Sequence, residues 1–179
     1  MTLSDVEIWA ELGSGRLIID PLPEADRVTG SSIDLLLYKE LLVLPTQSEV
    51  KGVTIDPSET NVMSMLRKFG KPHDLSAEGL FKMLPGRMVI GRTHEHIEIP
   101  PHLAARIEGK STLARLGLAV HITAPTVQAG FQGRLYLEMY NAGPFALELG
   151  SQMKIAQLIV EHLGLPAKEP YRGKYLGQS

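Results

Sequence analysis

Seven residues in the middle of the chain, Gly109-Lys110-Ser111-Thr112-Leu113-Ala114-Arg115, gather two cations, two hydroxyls and a glycine between apolar stretches. A turn of that composition offers backbone N–H groups, hydroxyls and positive charge to an anion. Its glycine spacing is not that of a Walker loop, and taken alone it reads equally well as a solvated turn. Downstream, Glu138 stands in the otherwise apolar run from Leu135 to Tyr140. Period-2 alternation puts Tyr136 and Glu138 on one face of a strand and Leu135, Leu137 and Met139 on the other. Glu138 therefore faces solvent or lines a cleft. In a water-poor cleft a carboxylate has its pKa raised toward the range where it works as a general base. Near the C-terminal end, Tyr171, Arg172, Lys174 and Tyr175 set aromatics beside cations around glycines. That composition suits a flap that closes over a planar ring and phosphates, or a plain terminus.

Other chemistry is excluded. The 179 residues include no cysteine, which removes disulfides, thiolate nucleophiles and thiolate zinc sites together. A formal net charge of −2 gives no global basic field for nucleic acid, so phosphate recognition has to come from local clusters. His94-Glu95-His96 with His102 resembles a metal cluster, but residues i and i+2 on a strand share a face without being ligands by default, and no protein metal site is expected. Asp34, inside the apolar segment SSIDLLL, needs partners if buried; backbone N–H groups at a strand crossing are the expected ones. Trp9 and Phe131 read as packing residues rather than as a stacking platform. The opening MTLSDVEIW carries acids where a signal peptide needs lysines. No stretch approaches a membrane span. The expectation is a cytoplasmic protein.

The elements that must position these residues are short. Ser4 followed by Glu7 predicts a capped helix with Val6, Ile8, Trp9 and Leu12 on its apolar side, ended by Gly13 and Gly15. Strands are predicted at 16–19, 31–37, 87–92, around Ile97 and Ile99, around Ala105 and Ile107, at 135–140 and at 155–160. A single helical turn is predicted at 111–116, and a tight hairpin at Gly130 and Gly133. Residues 45–80 read as a long polar excursion with one short helix around 61–69. Short strands punctuated by glycine and proline predict an all-β barrel or sandwich. The whole of 1–179 reads as one domain, with 170–179 a mobile closing segment.

Five ordered motifs then carry a resemblance. EGKSTLARLGL resembles the EGKSSLARLGL signature of dCTP deaminases. VHITA, the GF-x-G turn and LEMYNAG are similar to their VHxTA, DPGF-x-G and LE-x-x-N stretches. SSIDLLL resembles SVDLRL, KIAQLIV resembles an IGQLxF strand, and the last residues resemble a Y-x-G-KYxGQ closing segment. The likeness runs over nearly the whole chain; only 45–80 has no counterpart among these motifs.

This resemblance to the dCTP deaminase and dUTPase superfamily implies a distorted β-barrel that assembles as a homotrimer with active sites between subunits. It implies hydrolytic deamination of dCTP to dUTP without zinc. Glu138 would be the general base, and Ser111 and Arg115 would hold the water and the base. Backbone groups near Ala124 would read the pyrimidine edge. Lys110, Thr112, Tyr171, Lys174 and Gln178 would bind the triphosphate, with Mg²⁺ carried on the phosphates. Zinc deaminases need a His/Cys/Cys set, which a cysteine-free chain lacks.

Two positions depart from the pattern. Gln128 stands where the family reads Asp, in the sugar-binding segment that in the dUTPase branch activates water against the α-phosphorus. An amide is no base near neutral pH, though it still donates and accepts hydrogen bonds. Pro125 fixes φ and removes a donor from the base-reading loop. The alternatives to a deaminase are therefore a dUTPase or bifunctional enzyme, which Gln128 weakens, and a non-catalytic nucleotide-binding trimer.

Overall fold

The computed structural model describes residues 1–58, 61–169, 171 and 173. Helix α1 (Asp5–Gly13) begins where the capping pattern puts it: the Glu7 N–H donates to the Ser4 hydroxyl and the Ser4 N–H to the Glu7 carboxylate, at 3.4 and 2.8 Å. Ile8 and Leu12 anchor it in the core. Strand β1 (Ile18–Asp20), a 3-10 turn at Ala25–Arg27, and β2 (Val28–Thr29), β3 (Ser32–Leu36) and β4 (Glu40–Val43) follow. The polar excursion contains the expected short helix, α2 (Val62–Phe69), capped by Asn61, and an unexpected strand, β5 (Lys71–Asp74). Then come β6 (Phe81–Met83), β7 (Met88–Arg92), β8 (His96–Glu98), β9 (Leu103–Gly109), the four-residue helix α3 (Ser111–Ala114), β10 (Leu118–Ala119) and β11 (Thr126–Val127). The last strands are β12 (Gln132–Gly133), β13 (Tyr136–Asn141), β14 (Leu147–Leu149) and β15 (Lys154–His162).

The chain is mainly β, as expected, but the expected closed barrel is not found among the described residues. The strands form two five-stranded antiparallel sheets, in orders β10-β13-β7-β4-β5 and β11-β9-β15-β3-β2, with a three-stranded sheet β1-β8-β12 and a two-stranded sheet β14-β6. Closing a barrel needs an unbroken ladder around the ring. Here both large sheets end on strands of two to four residues, too short to carry pairing across to the other sheet. The sheets share one core: Val89, Leu137 and Met139 belong to the same apolar cluster as Ile33, Leu35, Ile107, Leu158 and Val160.

The expected hairpin at Gly130 and Gly133 is also corrected. A tight turn is present, with the Phe131 N–H donating to the Gln128 carbonyl at 3.1 Å, but its two arms join different sheets: β11 pairs with β9 and β12 with β8.

Asp34 differs from expectation as well. Its carboxylate takes the Lys110 ammonium and the Gln157 amide, the latter at 3.3 Å, with Lys154 Nζ at 3.8 Å, rather than backbone N–H groups. β15 runs opposite β3 with Gln157 facing Asp34. Side chains on the same face of the pair thus reach the carboxylate first. Beneath it, buried Arg27 donates to the Asp34 carbonyl at 2.7 and 3.0 Å and pairs with fully buried Glu95, which also accepts from the Leu36 N–H at 3.1 Å.

Candidate active site

Strand β13 lies beside β7, with Glu138 opposite Ile90. The alternation read from the sequence holds: Leu137 and Met139 are fully buried in the core, while Tyr136 and Glu138 face the other way. That other face is not open solvent. It is the floor of a cavity of about 610 Å³ built by Met88, Ile90, Leu135, Tyr136 and Glu138. One wall is the 124–131 loop, with Ala124, Thr126, Val127, Gln128 and Phe131; another is α2, with Val62, Met63 and Leu66; Tyr171 closes a third side.

The Glu138 carboxyl makes no side-chain hydrogen bond or ion pair with the described residues. Burial among apolar neighbours pushes its pKa up, partly offset by its own backbone N–H and by the nearby His121. A carboxylate so placed can accept a proton from water near neutral pH and return it to a leaving group. The Nδ1 atom of His121 is buried with no hydrogen-bond partner among the described residues. A buried polar atom in that state beside a raised-pKa carboxylate makes the pair a candidate functional site. His121 received no role from the sequence. The signal was there: in the run from Leu118 to Ile122, Leu118 and Val120 are buried core residues, and His121 falls on the opposite face.

The expected site residues fall into separate groups. Glu138, Ala124, Gln128 and Tyr171 line one cavity. Lys110, Ser111, Thr112 and Arg115 do not line it. They lie on and beside α3, with Ser111, Thr112 and Arg115 exposed. The far end of β13 fixes α3. Leu118 in β10 pairs with Asn141, and a Cβ on Gly143 would stand 2.0 Å from the Leu116 carbonyl oxygen, so only glycine permits that docking. Asn141 is fully buried. Its amide donates to the carbonyls of Met83 and Phe145 at 2.9 and 2.8 Å, and its oxygen accepts from the Gly143 N–H at 3.0 Å. Asn141 lies three positions from Glu138, about 10 Å along a strand. Lys110 is engaged with Asp34.

Phe131 does more than pack. It is buried in the core, yet it also lines the cavity, with its ring 6.3 Å from that of Tyr171. The Tyr171 N–H donates to the Ala129 carbonyl at 2.8 Å, which brings the start of the tail to the cavity. Lys174 and Gln178 lie outside the described residues. Within the described residues no group of three His, Asp or Glu side chains is arranged to hold a metal, and no helix is long and apolar enough to cross a membrane.

The chain is similar to proteins of one known family. The family model described as dCTP deaminase-like matches residues 2–163. A protein of Beutenbergia cavernae named "dCTP deaminase, dUMP-forming" is 39% identical over 171 residues, 96% of this chain and 84% of its own length. A "dCTP deaminase" of Alteromonas mediterranea is 33% identical over 184 residues, 100% of this chain and 93% of its own. The crystal structure of 2'-deoxycytidine 5'-triphosphate deaminase from Agrobacterium tumefaciens superposes with a TM-score of 0.69 at 21% identity, over 90% of this chain, and so shares the fold. This chain spans about half, 48%, of that solved chain.

Proposed function

The chain belongs to the dCTP deaminase-like family, and from that premise we propose that it hydrolyses the 4-amino group of dCTP, releasing dUTP and ammonia. The observation that carries this reading is Glu138: a carboxylate with raised pKa, lacking a side-chain partner among the described residues, at the floor of an apolar cavity large enough for a nucleotide base. Glu138 takes a proton from water as the water oxygen bonds to C4 of the cytosine ring. The C4–N3 π pair moves onto N3, which ends with one proton of the former water; the other passes to the amino nitrogen, the C–N bond breaks to release ammonia, and the C4 carbonyl forms. Cytosine and water become uracil and ammonia. His121, beside Glu138, is suited to orient its carboxylate.

The exposed positions of Ser111 and Arg115, away from their own chain's Glu138 cavity, support a site shared between copies. In this reading the protein is a homotrimer, and Ser111 and Arg115 of one subunit hold the water and the base at the Glu138 of its neighbour. Lys110 shares its ammonium between Asp34 and the triphosphate, Thr112, Tyr171, Lys174 and Gln178 complete the phosphate site, and Mg²⁺ arrives with the nucleotide. A free nucleotide substrate fits a cytoplasmic protein. Light scattering on the native protein is expected to give a trimer; a stable monomer would overturn the shared site.

A second reading has a specific observation behind it. Two similar proteins, from Beutenbergia cavernae and Persephonella marina, are named "dCTP deaminase, dUMP-forming". Gln128 weighs against carrying that name over, since an amide at the cavity wall supplies no base for water attack on phosphorus. Incubation with dCTP and Mg²⁺ followed by product analysis separates the readings. dUTP and ammonia are expected. dUMP with pyrophosphate would establish the bifunctional enzyme, and tight binding without turnover a nucleotide-binding trimer.

A further inference from the structure

The two cations of the turn around α3 are held differently. Arg115, which follows the helix, is exposed. Lys110, which precedes it, accepts from the Leu113 and Ala114 N–H groups at 3.0 and 2.9 Å through its carbonyl, and so fixes the start of α3. Its side chain makes no local cap. The ammonium instead crosses β15 to the Asp34 carboxylate on β3, with the Lys110 side chain 20% exposed and that of Asp34 12%. Strand pairing sets this up: Ala156 of β15 lies opposite Gly109 on one side and Leu35 on the other. The backbones of Lys110 and Asp34 are thus two strand spacings apart, about 10 Å.

Asp34 is held independently of Lys110. Buried Arg27 donates to its carbonyl at 2.7 and 3.0 Å. The Gln157 amide, which also donates to the Ser32 hydroxyl at 3.1 Å, donates at 3.3 Å to the carboxylate oxygen that takes Lys110. Lys154 stands 3.8 Å from the other oxygen and is itself paired with exposed Asp26 at 2.8 Å. A carboxylate fixed in this way stays in place when an anion arrives. It is an anchor on which an ammonium can turn, not a latch that has to open. An ammonium has three donors and Asp34 takes one, which leaves donors for phosphate oxygens. A lysine head loses much rotamer freedom when it is ordered, and here that loss is met before any nucleotide binds.

We propose that Asp34 is a positioning residue for triphosphate recognition: it touches no substrate, and it holds the Lys110 ammonium preordered for the phosphates. This role rests on the reading that Lys110 binds the triphosphate. A carboxylate that merely competed with the phosphates for Lys110 would act in the opposite direction, and its removal would tighten nucleotide binding.

A double-mutant cycle on the whole protein separates these roles. Calorimetry gives the Kd of the α,β-imido analogue of dCTP, with Mg²⁺, for wild type, Asp34→Asn, Lys110→Met and the double variant. Asp34→Asn is expected to weaken binding about tenfold, the size of the rotamer freedom returned to Lys110, and to raise KM for dCTP by more than it lowers kcat. In the Lys110→Met background the same change is expected to cost less than about twofold. Equal weakening in both backgrounds would overturn the proposal, because Asp34 would then act through the fold and not through Lys110. Unchanged or tighter binding by Asp34→Asn, with Lys110→Met weakened, would also overturn it and leave the reading of Lys110 standing. Wild-type binding by Lys110→Met would remove Lys110 from the phosphate site, and the proposal with it. Carbon-13 relaxation at the lysine ε-carbons tests the wild-type protein directly. Before nucleotide is added, Lys110 is expected to be more rigid than exposed Lys168; equal mobility would overturn the preordering.

Discussion

Two groups of ionisable side chains among the described residues are built on opposite principles. In the first, Arg27, Glu95, Asp34 and Lys110 satisfy one another: Arg27 holds Glu95 and the Asp34 carbonyl, Glu95 also takes the Leu36 N–H, and the Asp34 carboxylate takes Lys110 and Gln157. In the second, Glu138 lacks a side-chain partner among the described residues, and beside it the Nδ1 of His121 has none either. Partnered burial ties the strands together and leaves Arg27 and Glu95 no chemistry to spare. Unpartnered burial is costly, and it survives selection where the group has to meet a substrate. The same contrast separates the carboxylate pair most alike in the sequence, since Glu95 and Glu138 each interrupt a strand-like stretch.

The sharpest way to break this comparison is Glu138→Gln. It is expected to lower kcat for dCTP deamination by roughly 10²–10⁴-fold, with binding of the imido analogue within a few-fold of wild type. Thermal stability near neutral pH should be unchanged or higher, because the cost of a charge in the cavity is gone. A large loss of stability instead would put Glu138 in the structural class.

Arg27→Met makes the reverse test. It leaves Glu95 buried and unpaired, a loss of about 3–5 kcal/mol, read from urea unfolding. Adding Glu95→Gln should recover part of it, since the two share one contact. A cost below about 1 kcal/mol, of the size typical of exposed pairs, would show that the network is not what fixes β3.

The pH dependence follows from the raised pKa of Glu138. The working form is the carboxylate, so kcat/KM should rise with pH through a value above the ordinary glutamate range. For stability the sign is the other one. Because the folded pKa is above the unfolded, the contribution of Glu138 is present in full below the unfolded value and is lost as pH rises through the folded value. The Tm difference between Glu138→Gln and wild type should therefore widen with pH across that interval. A flat difference would mean that the carboxyl is not desolvated.

Gln128→Asp carries the smallest expected effect. It returns an acid to the cavity wall, should tighten binding of the sugar, and should add a trace of pyrophosphate release from dUTP. Efficient pyrophosphate release by the protein with Gln128 intact would defeat the argument from the missing acid.

Much of the local structure could be read directly from the residues. Ser4 and Glu7 started α1 and alternation gave the faces of β13, because each depends on neighbours within a few positions; the short helix expected around 61–69 is α2. Strand β5 was not legible. Lys71-Pro72-His73-Asp74 has no apolar alternation, and its proline is tolerated because β5 is the edge of its sheet. The turn at Gly130 was legible, but the sheets its arms join were not, because pairing partners lie tens of residues away.

By itself, the sequence determined which chemistry the chain has at hand. It has no thiol, it has a carboxylate on the polar face of a strand, and it has a cationic hydroxyl-rich turn. These follow from residue type and from the two-residue period of a strand. Only the tertiary structure decided that the polar face of β13 is a cavity and not solvent, since its walls come from α2 and the 124–131 loop. It also decided that Lys110 meets Asp34, 76 positions earlier in the chain, and that Ser111 and Arg115 stand outside the cavity of their own chain. Burial and charge pairing are properties of what packs across from a residue, and local spacing does not contain that information.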